Sequence, residues 1–189
     1  DVAARKLGIH SVCTTARERL PGADIAELEK VEASIDSLAS EYGISTETLA
    51  HLVSLYGSRC REVLDYLKKD KRLGERICKT NHNIVAEVIH SIEKESALTL
   101  SDFMLRRSLI GFRQCEGLDC CNKVAKKMGE ILGWTDKELT SQTRAYKEEI
   151  AKRHDYEEEL IKPAHTEPRK RALARKSRRS RRTARRRPV

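Results

Sequence analysis

Residues 45–67 read STETLAHLVSLYGSRCREVLDYL, and this stretch decides the fold class. Ser45 stands where a helix N-cap belongs, with Thr46-Glu47-Thr48 as the first turn. A cap hydroxyl there accepts one of the backbone N–H groups that a first turn leaves without a partner. The reciprocal capping box would need Glu in place of Thr48, so the cap is one-sided. Leu49, Leu52, Val53 and Leu55 then form a stripe at helical spacing that stops at Tyr56-Gly57. Ser58 is placed to cap a second helix. Val63, Leu64 and Leu67 face inward along it, and Lys68-Lys69-Asp70-Lys71 ends it.

The same period extends in both directions. Toward the N-terminus, Asp24 stands near the start of a helix carrying Ile25, Leu28, Val31, Ile35 and Leu38. Residues 1–22 read as a connector: a helix end at Val2, Ala3, Ala4 and Leu7, a stop at Gly8, and a turn at Leu20-Pro21-Gly22. Toward the C-terminus, Val85, Val88 and Ile89 share one face, and Thr99-Leu100-Ser101-Asp102 opens a short helix through Phe103, Leu105 and Arg107. Residues 117–132 are amphipathic through Val124, Met128, Ile131 and Leu132, and Thr135 caps a long helix with Leu139, Tyr146 and Ile150. Trp134, the only tryptophan, is expected to plug the core between these last two helices. No segment alternates with period two. The expectation is an all-α fold: an irregular bundle or array of about six helices with short connections.

Composition bounds what such a fold can be. A chain of 189 residues fits one domain with appendages, and 39% apolar residues suffice for a core. With 4% aromatics, that core is mainly Leu, Ile, Val and Ala. No apolar run approaches the roughly 20 residues of a membrane-spanning helix. The formal charge of +9 is concentrated at one end: residues 169–189 hold twelve Lys or Arg and no acid, which leaves −3 on residues 1–168. Residues 161–189 are therefore expected to be a disordered Arg-rich tail, too highly charged and too poor in apolar groups to fold alone. Such a tail would neutralise the phosphates of a nucleic acid or dock on an anionic membrane surface. The six cysteines are scattered and no secretory signal precedes them, so reduced cytoplasmic thiols are expected. The opening at Asp1, without Met and within a helical pattern, reads as a fragment or processed product.

Three stretches, in order, resemble one enzyme family. They are Thr14-Thr15 followed by Leu20-Pro21-Gly22; then His51-Leu52-Val53-Ser54-Leu55-Tyr56-Gly57-Ser58-Arg59; then the span from Ala86-Glu87-Val88 through Glu95, Ala97, Leu98, Thr99, Leu100 and Asp102 to Arg106-Arg107. Leu132-Gly133-Trp134 and a helix containing Tyr146 follow. Together, over about residues 1–150, they resemble the C-terminal domain of the FAD-dependent glycerol-3-phosphate dehydrogenases and alpha-glycerophosphate oxidases.

The resemblance implies residues 1–22 as a connector from an upstream FAD-binding domain, 23–160 as the helical C-terminal domain, and 161–189 as the tail. It also implies a parent enzyme that oxidises glycerol 3-phosphate to dihydroxyacetone phosphate through FAD. The partner would be the flavin domain of the same polypeptide, with homodimer and peripheral membrane contacts on the cytoplasmic face. This chain carries no Gly-x-Gly-x-x-Gly after a strand, so no catalytic, cofactor-binding or metal-binding residue is expected in it, and alone it should be inactive.

Glu87, Glu95, Asp102, Arg106 and Arg107 are the most function-like set. The two arginines could clamp a phosphate, but three carboxylates nearby favour ion pairing between helices, with contact to the flavin domain as the remaining role. Cys115, Cys120 and Cys121 read first as a buried or partly buried thiol trio, with a metal cluster as the lesser alternative, since a four-ligand site needs a second paired motif and the other cysteines supply none. The histidines have no metal-ligand spacing. A competing reading makes residues 46–56 and 58–67 a helix-turn-helix for nucleic acid, weakened because Glu62 and Asp65 offset Arg59 and Arg61.

Overall fold

The computed structural model describes residues 2–10 and 13–161, with side chains to residue 155. The Arg-rich tail lies outside the described residues. Residues 1–148 make one compact unit. Residues 149–189 make a second, whose described part, residues 149–161, is helical.

Eight α-helices occur among the described residues: α1 (Val2–Lys6), α2 (Ile25–Ala33), α3 (Ile35–Tyr42), α4 (Thr46–Tyr56), α5 (Cys60–Lys69), α6 (Val85–Glu95), α7 (Cys121–Leu132) and α8 (Asp136–Ile161). There is no strand among them, only an isolated antiparallel bridge between Arg76 and Ile84. The all-α expectation holds, with more helices than six because one expected helix is two and the helix end read at Val2 to Leu7 counts as α1. The apolar spacing from Ile25 to Leu38 is interrupted at Ser34, whose hydroxyl donates to Lys30 O at 2.7 Å and Val31 O at 3.3 Å. That side chain competes for the backbone of α2 and ends it.

The caps follow the sequence closely. Asp24 accepts from Glu27 N–H and Ser45 accepts from Thr48 N–H, each at 3.2 Å. Thr135 and Glu138 form a full capping box at the start of α8, with Glu138 N–H donating to Thr135 Oγ1 and Thr135 N–H donating to Glu138. Ser58 does not cap α5. Residues Gly57–Arg59 form a 3-10 turn that feeds the helix from Arg59 without a side-chain cap.

The core has two connected regions. Val31, Leu49, Leu52, Val63, Leu64, Leu67 and Ile84 fill one, between α2 and α6. Leu100, Phe103, Met104, Ile110, Val124, Met128 and Tyr146 are fully buried in the other. The short helix expected after Thr99 is a π-helix, Asp102–Arg107, closed by Ser108 N–H donating to Phe103 O at 2.8 Å. Its wide turn carries three successive side chains, Phe103, Met104 and Leu105, into the core. Trp134 is half-buried rather than a core plug, packed beside Gly129 of α7. Gly133 ends α7 in the left-handed region and turns the chain before an indole could enter the interior.

Candidate functional sites

Two polar clusters stand out from this apolar framework, both within residues 1–148. The first is centred on Glu87, on the first turn of α6, whose side chain is fully buried. Its Oε1 accepts from Ile84 N–H at 2.7 Å. Its Oε2 accepts from Asn83 Nδ2 at 3.0 Å and lies 3.2 Å from His51 Nε2 and 3.4 Å from the Tyr56 hydroxyl. His51 Nε2 also stands 2.9 Å from Asn83 Nδ2, so its tautomer decides whether it accepts from that amide or donates to the carboxylate. His51 and Tyr56 are both on α4, so this one side chain ties α4 to α6. Burial, and then the negative charge of Glu87, push the Tyr56 phenol above its ordinary range, which keeps it a donor at any physiological pH.

The other members of the sequence-predicted set lie further along the chain. Arg106 donates to Asp102 at 3.0 Å, one helical turn away. Asp102 also accepts from the backbone N–H of Thr99 at 2.9 Å and of Leu98 at 3.3 Å. Burial opposes its ionisation, but the hydrogen bonds from Thr99 and Leu98 and the charge of Arg106 outweigh it and hold the carboxyl below the usual range. Arg107 donates through Nε and Nη2 to the carbonyl of Glu95, at 3.1 and 2.8 Å, with the Glu95 carboxylate 3.9 Å away. Glu87 therefore belongs with His51, Asn83 and Tyr56, not with the arginines. In the segment read as a helix-turn-helix, Arg59 spends its donors on Glu62, at 2.9 and 3.0 Å.

The second cluster regroups the cysteines. Cys78 Sγ lies 3.6 Å from Cys115 Sγ, 37 residues away in sequence. It lies 3.7 and 3.9 Å from the two carboxylate oxygens of Asp119. The ligand atoms of Cys78, Asp119 and Cys120 all fall within 4.8 Å of one another. Asn81 Nδ2 donates to both Cys78 and Cys115, at 3.2 and 3.3 Å. Cys121 is not part of this group; its thiol turns to Leu118 O. The trio expected from sequence is thus replaced by Cys78, Cys115 and Cys120. Adjacency misled, because consecutive residues entering a helix point in different directions, and α7 begins at Cys121.

Local backbone explains the convergence. Residues 77–83 form a loop pinched at its base, with Ile77 N–H donating to Asn83 O at 2.9 Å and Val85 N–H to Glu75 O at 3.0 Å. Arg76 crosses the loop and donates to the carbonyls of Lys79 and Asn81. Residues 115–120 are curled by two successive left-handed residues, Glu116 and Gly117, with φ of 47° and 65°. The positive φ of Gly117 strains any side chain there, and an added Cβ would force Met104 Cε to move. The Tyr146 hydroxyl donates to Glu116 O and fixes the turn.

For a dinucleotide cofactor the residues do not fit. The sequence holds no Gly-x-Gly-x-x-Gly, and among the described residues no strand exists to present one to a helix N-terminus. Among them, too, no helix is long and apolar enough to cross a membrane.

This geometry defines an all-helical domain among the described residues, and comparison with known proteins gives its family. Residues 13–139 match the family described as the C-terminal domain of alpha-glycerophosphate oxidase, and the chain belongs to that family. A glycerol-3-phosphate dehydrogenase of Synechocystis sp. is 29% identical over 139 residues, covering 72% of this chain and 24% of the relative. The aerobic glycerol-3-phosphate dehydrogenase of Staphylococcus epidermidis is 26% identical over 143 residues, 73% of this chain and 24% of the relative. One subunit of the anaerobic glycerol-3-phosphate dehydrogenase of Haemophilus influenzae is 27% identical over 149 residues, 79% of this chain and 24% of the relative. The chain thus spans about a quarter of the length of these relatives. No solved structure matches.

Proposed function

We propose that this chain is the C-terminal accessory domain of an FAD-dependent glycerol-3-phosphate dehydrogenase, which oxidises glycerol 3-phosphate to dihydroxyacetone phosphate in glycerol and glycerophospholipid metabolism. The observation that carries the proposal is the match of residues 13–139 to a C-terminal domain family, with relatives of whose length the alignment covers only 24%. In this reading FAD and substrate are held by an upstream domain. Residues 1–22 connect to it, 23–160 cap and stabilise it, and 161–189 are an appended basic tail.

The flavin domain would be met near the π-helix. Glu95, Asp102, Arg106 and Arg107 lie there, and exposed Leu98, Leu109 and Phe112 flank the helix in sequence. Apolar side chains left open beside charged ones suit a domain interface. A homodimer contact and a peripheral position on the inner face of the membrane, reached through the tail, complete the reading.

Reconstitution tests it. The flavin domain of a relative is expressed with and without this chain, and glycerol 3-phosphate-dependent dye reduction and bound FAD are both recorded. Retention of flavin and turnover should require residues 1–150 and survive loss of 169–189. A flavin domain indifferent to the chain would overturn the assignment.

A further inference from the structure

We propose that Cys78, Cys115, Cys120 and Asp119 form a binding site for a single soft divalent cation, with zinc the ion their chemistry fits best. The proposal does not rest on the functional reading above.

The first argument is spacing. Zinc–sulfur bonds of about 2.3 Å in a tetrahedral site place neighbouring sulfurs about 3.8 Å apart. Cys78 and Cys115 are 3.6 Å apart, and Asp119 is 3.7 Å from Cys78. Cys78, Asp119 and Cys120 hold their donor atoms within 4.8 Å of one another, and Cys115, beside Cys78, is the fourth donor within reach of an ion bound there. That span is too small for two metals, so the site is mononuclear. Three sulfurs and one carboxylate oxygen select a thiophilic ion over magnesium or calcium.

The second argument is what surrounds the donors. Asn81 directs one amide group at both Cys78 and Cys115, as an outer partner that orients sulfur ligands and stabilises their negative charge. Both loops are held independently of any ion, one by the Arg76–Ile84 bridge and one by the Glu116-Gly117 turn. Cys78 and Cys120 are buried, whereas Asp119 is exposed and gives the ion a way in.

On binding, the three thiols release three protons to solvent as three metal–sulfur bonds form, and Asp119 takes the fourth position as the ion sheds water. No electron is transferred.

The full 189-residue chain, reduced and stripped with a chelator, is titrated with Co²⁺ and then with Zn²⁺. One equivalent of Co²⁺ should give the thiolate charge-transfer band and the strong visible bands of a tetrahedral site, and Zn²⁺ should displace them. Cys78→Ser, Cys115→Ser and Cys120→Ser should each abolish the spectrum, while Cys13→Ser and Cys60→Ser leave it unchanged. Asn81→Ala should weaken binding about 10–100-fold without changing the spectrum. Circular dichroism of each apo variant separates loss of ligands from loss of fold. Three results overturn the proposal: no tetrahedral cobalt spectrum in a folded chain, a spectrum that survives Cys78→Ser, or iron and sulfide found together at these cysteines.

Discussion

Replacing Glu87 by leucine should destabilise residues 1–148 by about 3 kcal/mol. The figure follows from what the carboxylate leaves behind. Ile84 N–H, Asn83 Nδ2 and the Tyr56 hydroxyl are buried donors that converge on it, at 2.7, 3.0 and 3.4 Å. A buried donor left without an acceptor costs about 1–3 kcal/mol, and the long Tyr56 contact belongs at the low end of that range. His51 is only partly enclosed and can turn toward water. Against these losses, leucine removes the cost of keeping a carboxylate out of water. Glu87→Gln keeps an acceptor for Ile84 N–H but turns an NH2 group toward Asn83 Nδ2 and the Tyr56 hydroxyl, so its cost should be about 2 kcal/mol, between wild type and leucine. Urea unfolding at neutral pH, followed by far-ultraviolet circular dichroism and Trp134 fluorescence, reads both variants against wild type. Domains of this size have about 5–15 kcal/mol in total, so the leucine variant should lose a visible fraction of its midpoint at unchanged slope. A leucine variant within about 0.5 kcal/mol of wild type would refute the reasoning, because the buried donors would then have found other partners. Equal losses in the two variants would show that the acceptor facing Asn83 and Tyr56, and not the one facing Ile84 N–H, holds α4 to α6.

Two further perturbations test other parts of the fold. His90 is fully buried between Tyr56 and Tyr66, and neither ring nitrogen has a hydrogen-bond partner among the described residues, so desolvation lowers its pKa and the folded chain keeps it neutral. The unfolded chain protonates it as pH falls through about 6.5, so stability is full above that value and lost below it, by at most about 1.4 kcal/mol per pH unit; His90→Leu should flatten this slope in urea midpoints measured from pH 7 to 5. Gly57→Ala should cost about 3 kcal/mol, from a φ of 59° that disfavours a side chain and from overlap of its Cβ with Gly22 O, read as a fall in melting temperature.

The parts of this structure legible in sequence are those fixed within one helical turn. Ser45, Asp24 and Thr135 cap helices because the hydroxyl or carboxylate and the N–H it accepts are only three residues apart. The break at Ser34 left no mark on the apolar period, since Ile35 and Leu38 continue the spacing across it. The cysteine cluster was hidden for a different reason. Cys78 and Cys115 meet only because two loops are bent toward each other, one by a bridge and one by consecutive left-handed residues. The Cys115-x4-Cys120 spacing with Asp119 between was the available signal; the Cys120-Cys121 pair drew attention from it. Glu87 was grouped in sequence with Arg106 and Arg107, whereas its partners His51 and Tyr56 lie more than thirty residues away.

The crossing of Gly22 and Gly57 joins two distant parts of the chain. Gly22 O accepts from Ser58 N–H at 3.0 Å, and a Cβ on Gly22 would stand 2.5 Å from Tyr56 O. Two stretches of main chain touch there with no side chain between them as a cushion. Pro21 stiffens the approach, and α4 ends at the same point. The chain entering at residue 22 is therefore pinned, main chain to main chain, at the end of a helix whose Leu49, Leu52 and Val53 are buried in the core.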